Sequence, residues 1–169
     1  SIGKVKCFYG NFLVALRAAV YIDTLGAEGI KDAAQKAVLN ANYLMEGLKE
    51  FYPVAYDRVC MHEFVLTLEN LKHEKGVSAM DVAKAMLDYG IHPPTMYFPL
   101  IVHEDLMFEP TETETKETLD EAIRVLGEIR QIAEKDAQSL HEAPHKTIIG
   151  RVDEVRAARQ PVLKYAFND

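Results

Sequence analysis

The segment from Tyr89 to Glu121, YGIHPPTMYFPLIVHEDLMFEPTETETKETLDE, constrains this chain more than any other. Proline fixes φ and removes a backbone donor, so neither a long helix nor a central strand runs through HPPTMYFP. The residue before each proline is pushed toward extended backbone as well. One short stretch therefore holds a helix end, a stiff turn, an aromatic run, a strand and a Thr/Glu cluster. Ordinary packing does not require that order. The pattern is that of a shaped loop delivered beside a site. The rest of the chain lacks the residues that would run chemistry there.

Around this segment the apolar spacing sets the elements. Phe12 to Leu25 is apolar on nearly every face, with Gly26 placed as a C-terminal stop. A helix of that kind is buried against something, and a chain this small points to a partner surface outside it. A second helix is expected from about Ala27 to Phe51, with Ile30, Ala34, Ala37, Val38, Ala41, Leu44, Met45 and Leu48 in one stripe. Pro53 ends it. Val54 to Tyr56 and His62 to Leu68 read as strands, the second more strongly. Ser78 is a good N-cap for the next helix, answered by Asp81 three residues on. Gly90 closes that helix. Met96 to Val102, broken by Pro99, is an edge at best, and Leu106 to Phe108 is a further strand. Thr115 caps a long last helix that runs to Pro144, and a short helix is expected around Asp153 to Arg159.

Runs of helices and strands in this order predict an α+β fold: a small, mostly antiparallel sheet with helices on one face. The 169 residues suffice for one domain with a real core. Its expected parts are a helical linker and helix pair at 1–51, an α+β core at 52–144 and a tail at 145–169. A net charge of -7 argues against nucleic acid as a partner. No apolar run approaches the roughly 20 residues a bilayer span needs, so no membrane role is expected. Two cysteines are too few for a disulfide framework, which favours a reducing compartment and a cytoplasmic location. The chain begins at Ser1 with no signal-peptide pattern behind it and reads as a fragment of a longer protein.

Motifs that announce chemistry are few. His141, Glu142 and His145 spell H-E-x-x-H, which binds zinc only when both imidazoles share a helical face. Pro144 lies between them, so they do not share one, and no metal ligand set is expected. His92 is stiffened by Pro93 and Pro94. Glu109 to Glu114 follow an apolar strand, where carboxylates and hydroxyls often line sites, although Thr and Glu before a helix are also ordinary capping residues. His62-Glu63 and His103-Glu104 read as isolated pairs. Neither Cys7 nor Cys60 has a His or Cys at motif spacing. There is no phosphate-binding glycine loop and no nucleophile elbow.

The strings GKVKCFYGNFLVALRAAVYIDTLGAEGI, AVLNANYL, CMHEFVLTL, DVAKAMLDYGIHPPTMYFPLIV, LMFEPTETETKETLDEAI and GRVDEVRAARQPVLKY follow one another across nearly the whole chain. In that order they resemble the C-terminal region of the glycine-cleavage P-protein family, glycine dehydrogenase (decarboxylating). The ending resembles subunit 2 of its two-subunit bacterial form. The HPPT and EPTETE strings are the most specific. The chain departs from the family at Leu13, where Gly is expected after GNF, and at Asp105, where Cys is frequent.

The resemblance implies the small C-terminal domain of an aspartate-aminotransferase-like, fold type I enzyme. Its pyridoxal phosphate is held by a large domain upstream of Ser1, and the Schiff-base Lys lies there, not at His145-Lys146-Thr147. It further implies that glycine is decarboxylated and that its aminomethyl group passes to the lipoyl arm of the H-protein. Subunit 1, the H-protein and the chain's own large domain would be the partners. No catalytic residue is then expected in this chain, which alone would be inactive. His92, Thr95, Glu109, Thr111 and Glu112 are expected to face the cofactor cleft. A reading of another class remains open: a stand-alone α+β interaction module without catalysis.

Overall fold

A computed structural model describes residues 1–165 and 167 of the chain. Its first element, α1 (Phe12–Leu48), is two helices joined at a kink. Gly26 makes the kink, with φ 64 and ψ -175, a backbone conformation that glycine reaches without a Cβ penalty. The two halves have different fates. Residues 12–24 are exposed, Phe12, Leu13, Val14, Val20 and Ile22 among them, whereas Ala41, Leu44, Met45 and Leu48 are buried.

The sheet has three antiparallel strands in the order β1 (Phe64–Thr67), β3 (Asp105–Phe108), β2 (Thr95–Met96). Phe64 stands opposite Phe108 and Leu66 opposite Leu106, so these four share one face by the period of two. The Phe64 and Phe108 rings stack with centroids 5.4 Å apart. Leu66 and Leu106 are fully buried beneath the helices. Val54 to Tyr56, expected as a strand, supplies only a single bridge from Val54 to Leu66. Pro99 confines the expected Met96 to Val102 strand to two residues at the sheet edge.

Between β1 and β2 lie α2 (Glu69–Lys75) and α3 (Ala79–Leu87). The Ser78 cap of α3 is a full capping box: Ser78 Oγ accepts from Asp81 N, and the Asp81 carboxylate accepts from Ser78 N at 2.8 Å. The unexpected α2 has one buried residue, Leu71, too little apolar spacing to announce a helix. The long last helix divides. Thr115 caps α4 (Lys116–Lys135) as expected, accepting from Thr118 N. Asp136, at φ -151, breaks it and caps α5 (Ala137–Glu142). The tail carries α6 (Glu154–Arg159).

The core is the space between the second half of α1, the sheet, α3 and α4. Val125, Leu126 and Ile129 of α4 face Leu44 and Leu48 of α1 inside it. Tyr52, almost fully buried, donates its hydroxyl hydrogen to Leu126 O at 3.0 Å, as a buried phenol must.

Candidate functional site

The proline-rich turn after α3, the C-terminal end of β3 and the first two turns of α4 enclose a half-open cleft of about 700 Å³. Its floor is Leu44, Met86, Ile91, Phe108 and Leu119. Stiff backbone at Pro93 and Pro94 holds His92 and Thr95 on one side, both exposed. Glu109 leaves β3 on another, and Glu114, just before the Thr115 cap, with Glu117 and Glu121 of α4 lines the third. The Glu117 carboxyl is held below its usual range by its own backbone N–H and the Thr115 side chain at the helix start. Glu121 is held low by Arg124.

The expected site residues divide between two adjoining cavities. His92, Thr95 and Glu109 line the cleft. Thr111 and Glu112 line a second one of about 460 Å³, with Tyr21, Ala34, Val38 and His62. Glu109 and Pro110 belong to both. Asn40 of α1 fixes the connecting loop by donating to Thr111 O at 2.9 Å and Glu114 O at 3.1 Å. Tyr21 donates to Glu112 at 3.3 Å, a tie between the exposed half of α1 and this loop. That proximity pushes the Tyr21 phenol up, through partial burial and the Glu112 charge.

The H-E-x-x-H pattern does not form a site. α5 ends at Glu142; His141 Nδ1 turns to Asp81 at 3.2 Å, and His145 Nε2 lies 2.9 Å from Ser139 O. The HKT string is spent structurally. His145 N and Lys146 N donate to the Asp88 carboxylate at 2.6–2.8 Å, and the Lys146 ammonium sits over the Tyr89 ring at 5.2 Å.

Pyridoxal phosphate asks for a desolvated lysine and a phosphate cradle. No Lys or Arg lines the cleft, and its four glutamates repel a phosphate. The residues here do not fit the anchoring of that group.

Residues 33–148 match the family described as glycine dehydrogenase, C-terminal domain. The chain belongs to that family. Its likeness extends beyond the matched residues. It is 62% identical, over 98% of its length, to the probable glycine dehydrogenase (decarboxylating) subunit 2 of Treponema denticola. It is 53% identical over its whole length to the corresponding Thermosipho melanesiensis protein. It spans about a third of the length of these relatives. Among solved structures, the crystal structure of glycine decarboxylase (P-protein) of the glycine cleavage system, in inhibitor-bound form, superposes with a TM-score of 0.61. Identity there is 26%, and the match covers 73% of this chain and 28% of that one. The expected α+β fold and family stand. No helix is long and apolar enough to cross a membrane among the described residues.

The fold also adds residues to the site that the sequence passed over. His62 and Glu63, read as an isolated pair, stand beside Glu109. The signal that finds them is the register: once Phe64 pairs with Phe108, the next positions outward are Glu63 and Glu109.

Proposed function

We propose that this chain is the small domain of a pyridoxal-phosphate-dependent glycine decarboxylase, and that its cleft is the wall turned toward substrate in the complete enzyme. The family match and the length of the relatives support the first part. The cleft carries the second: the most specific strings of the sequence, HPPT and, but for Thr113, EPTETE, line one hollow and the cavity beside it.

The chemistry of decarboxylation belongs to the cofactor, an electron sink, which the rest of the enzyme would hold. What this chain's residues supply is shape and proton handling. His92 and Glu109, on different walls, are among the groups there able to give or take a proton. Thr95 offers a hydroxyl on the His92 side. The apolar floor displaces water from whatever occupies the hollow. Subunit 1 and the lipoyl-bearing H-protein are the partners in this reading, and a cytoplasmic location goes with them.

The test is made in the full-length enzyme with its partner subunit. His92→Ala and Glu109→Gln should each lower the rate of glycine decarboxylation by ten- to a thousandfold. A proton-transfer role shifts the pH–rate profile; a positioning role lowers the rate without that shift. Unchanged rates in both variants would remove these residues from the site.

A further inference from the structure

We propose that His62, Glu63 and Glu109 form a binding site for a divalent transition-metal cation. One ligand atom from each of the three lies within 4.8 Å of the others. The imidazole Nε2 of His62 is 3.8 Å from a carboxylate oxygen of Glu63. Ligands held at about 2.1 Å by a tetrahedral ion are about 3.4 Å apart. Small rotations of these exposed side chains close the remaining gap.

The strand register explains why these donors meet. The β1–β3 register pairs Phe64 with Phe108, which sets Glu63 and Glu109 at the next cross-strand position outward. Like charges directly opposite one another on a sheet are destabilising. Among the described residues, neither carboxylate forms an ion pair with a lysine or arginine. Arg58 lines the same hollow as His62 and Glu63, yet it pairs with neither. The two carboxylates are thus brought together by the fold and left without a fixed counter-charge, with one imidazole beside them. One nitrogen and two oxygens suit Zn²⁺ or Mn²⁺, with open positions left for water.

The strand ends position the donors. β1 begins at Phe64 and β3 ends at Phe108, both anchored in the core, so the adjoining Glu63 and Glu109 rest on rigid backbone. The proposal is argued from this chain's geometry and not from its place in a decarboxylase; it shares Glu109 with the cleft, so metal binding, and not the decarboxylation rate, is what tests it.

Isothermal titration of the chain with zinc sulfate, in a buffer that does not chelate, tests it. One saturable event is expected, at one Zn²⁺ per chain. His62→Ala, Glu109→Gln and Glu63→Gln should each weaken it at least tenfold. Cys60→Ser and His73→Ala, which remove neighbouring and remote donors, should leave it within twofold. All of these side chains except Cys60 are exposed, and circular dichroism identifies any variant that fails to fold. No saturable binding overturns the proposal. So does binding that survives all three ligand substitutions, and so does binding that Cys60→Ser abolishes.

Discussion

Asp105 is the residue least at ease in this structure. It is fully buried on β3, and neither carboxylate oxygen has a hydrogen-bond partner. Burial, first, and the neighbouring Glu104 charge push its carboxyl above the usual range; the backbone N–H groups of Asp105 and Phe98, near the carboxylate but outside hydrogen-bond geometry, offset this only in part. A folded value above the unfolded one means that Asp105 favours folding in acid and opposes it as pH rises through the folded value. Asp105→Asn should therefore stabilise the chain at pH 7, by about 1–2 kcal/mol. The gain should vanish below about pH 4, where the acid is neutral in both states. Thermal melts of the pair across pH 3.5–8 measure it, and equal midpoints at pH 7 would refute the account. A second pressure point is Gly127, where an added Cβ would meet the Phe51 ring at 2.9–3.2 Å. Gly127→Ala regains about 1 kcal/mol of helix propensity and loses about 1–3 to the clash. A net loss of about 1 kcal/mol in urea unfolding is expected. The sequence shows the charge of Asp105 and the missing side chain of Gly127, but not what either meets, because that depends on chain brought from far away.

At the scale of elements, the tail is bound to α3 at both ends of that helix. Arg151 donates to Asp81 at 2.7 Å and to the carbonyls of Ala143 and Leu140, and Asp88 accepts from the backbone of His145 and Lys146. Burial raises the Asp81 carboxyl, but hydrogen bonds from Ser78 and Arg151 outweigh it and hold the group below its usual value. A depressed folded value supplies stability above the unfolded value of about 3.9, and that stability is lost as pH falls through the folded one. Arg151→Ala should cost about 1–3 kcal/mol at pH 7, and Asp81→Ala about 3 kcal/mol, since it also removes the cap. Both penalties should shrink toward pH 3 in denaturant titrations, and constant penalties would contradict the ion-pair origin. The cap half of this network was legible, because Ser78 and Asp81 stand three residues apart. The Arg151 half was not, since 70 residues separate the partners. The same contrast runs through the fold. α3, α4 and the break at Gly26 announce themselves by caps, periodicity or glycine. α2 does not, because its one buried leucine gives no period, and the break at Asp136 is hidden in an unbroken apolar spacing. Of the candidate site, HPPT and EPTETE were visible as strings. That Thr111 and Glu112 fall in the neighbouring cavity follows only from long-range ties to Asn40 and Tyr21, and that His62 and Glu63 join Glu109 only from the strand register.

For the whole molecule the two halves of α1 set the terms. Residues beyond the Gly26 kink complete the core, and Tyr21–Glu112 is the one side-chain hydrogen bond from residues 12–25 back to the domain among the described residues. Phe12, Leu13 and Val14 are 62–75% exposed, and Val20, Tyr21 and Ile22 are 51–58% exposed. A contiguous apolar surface of this kind is rare on a lone soluble chain and marks a face built to be covered. In the reading proposed above, the large domain or the partner subunit covers it. Without either, the surface remains available to a second copy. The chain alone should therefore associate with rising concentration and bind an apolar dye. Deletion of residues 1–25 should abolish both and leave the melting temperature within about 3 °C, because none of the buried core residues lies in that segment. Sedimentation velocity of the two forms decides the point. A monodisperse monomer for the intact chain would show the face to be harmless when bare, and a large loss of stability on deletion would show residues 1–25 to be part of the folding unit.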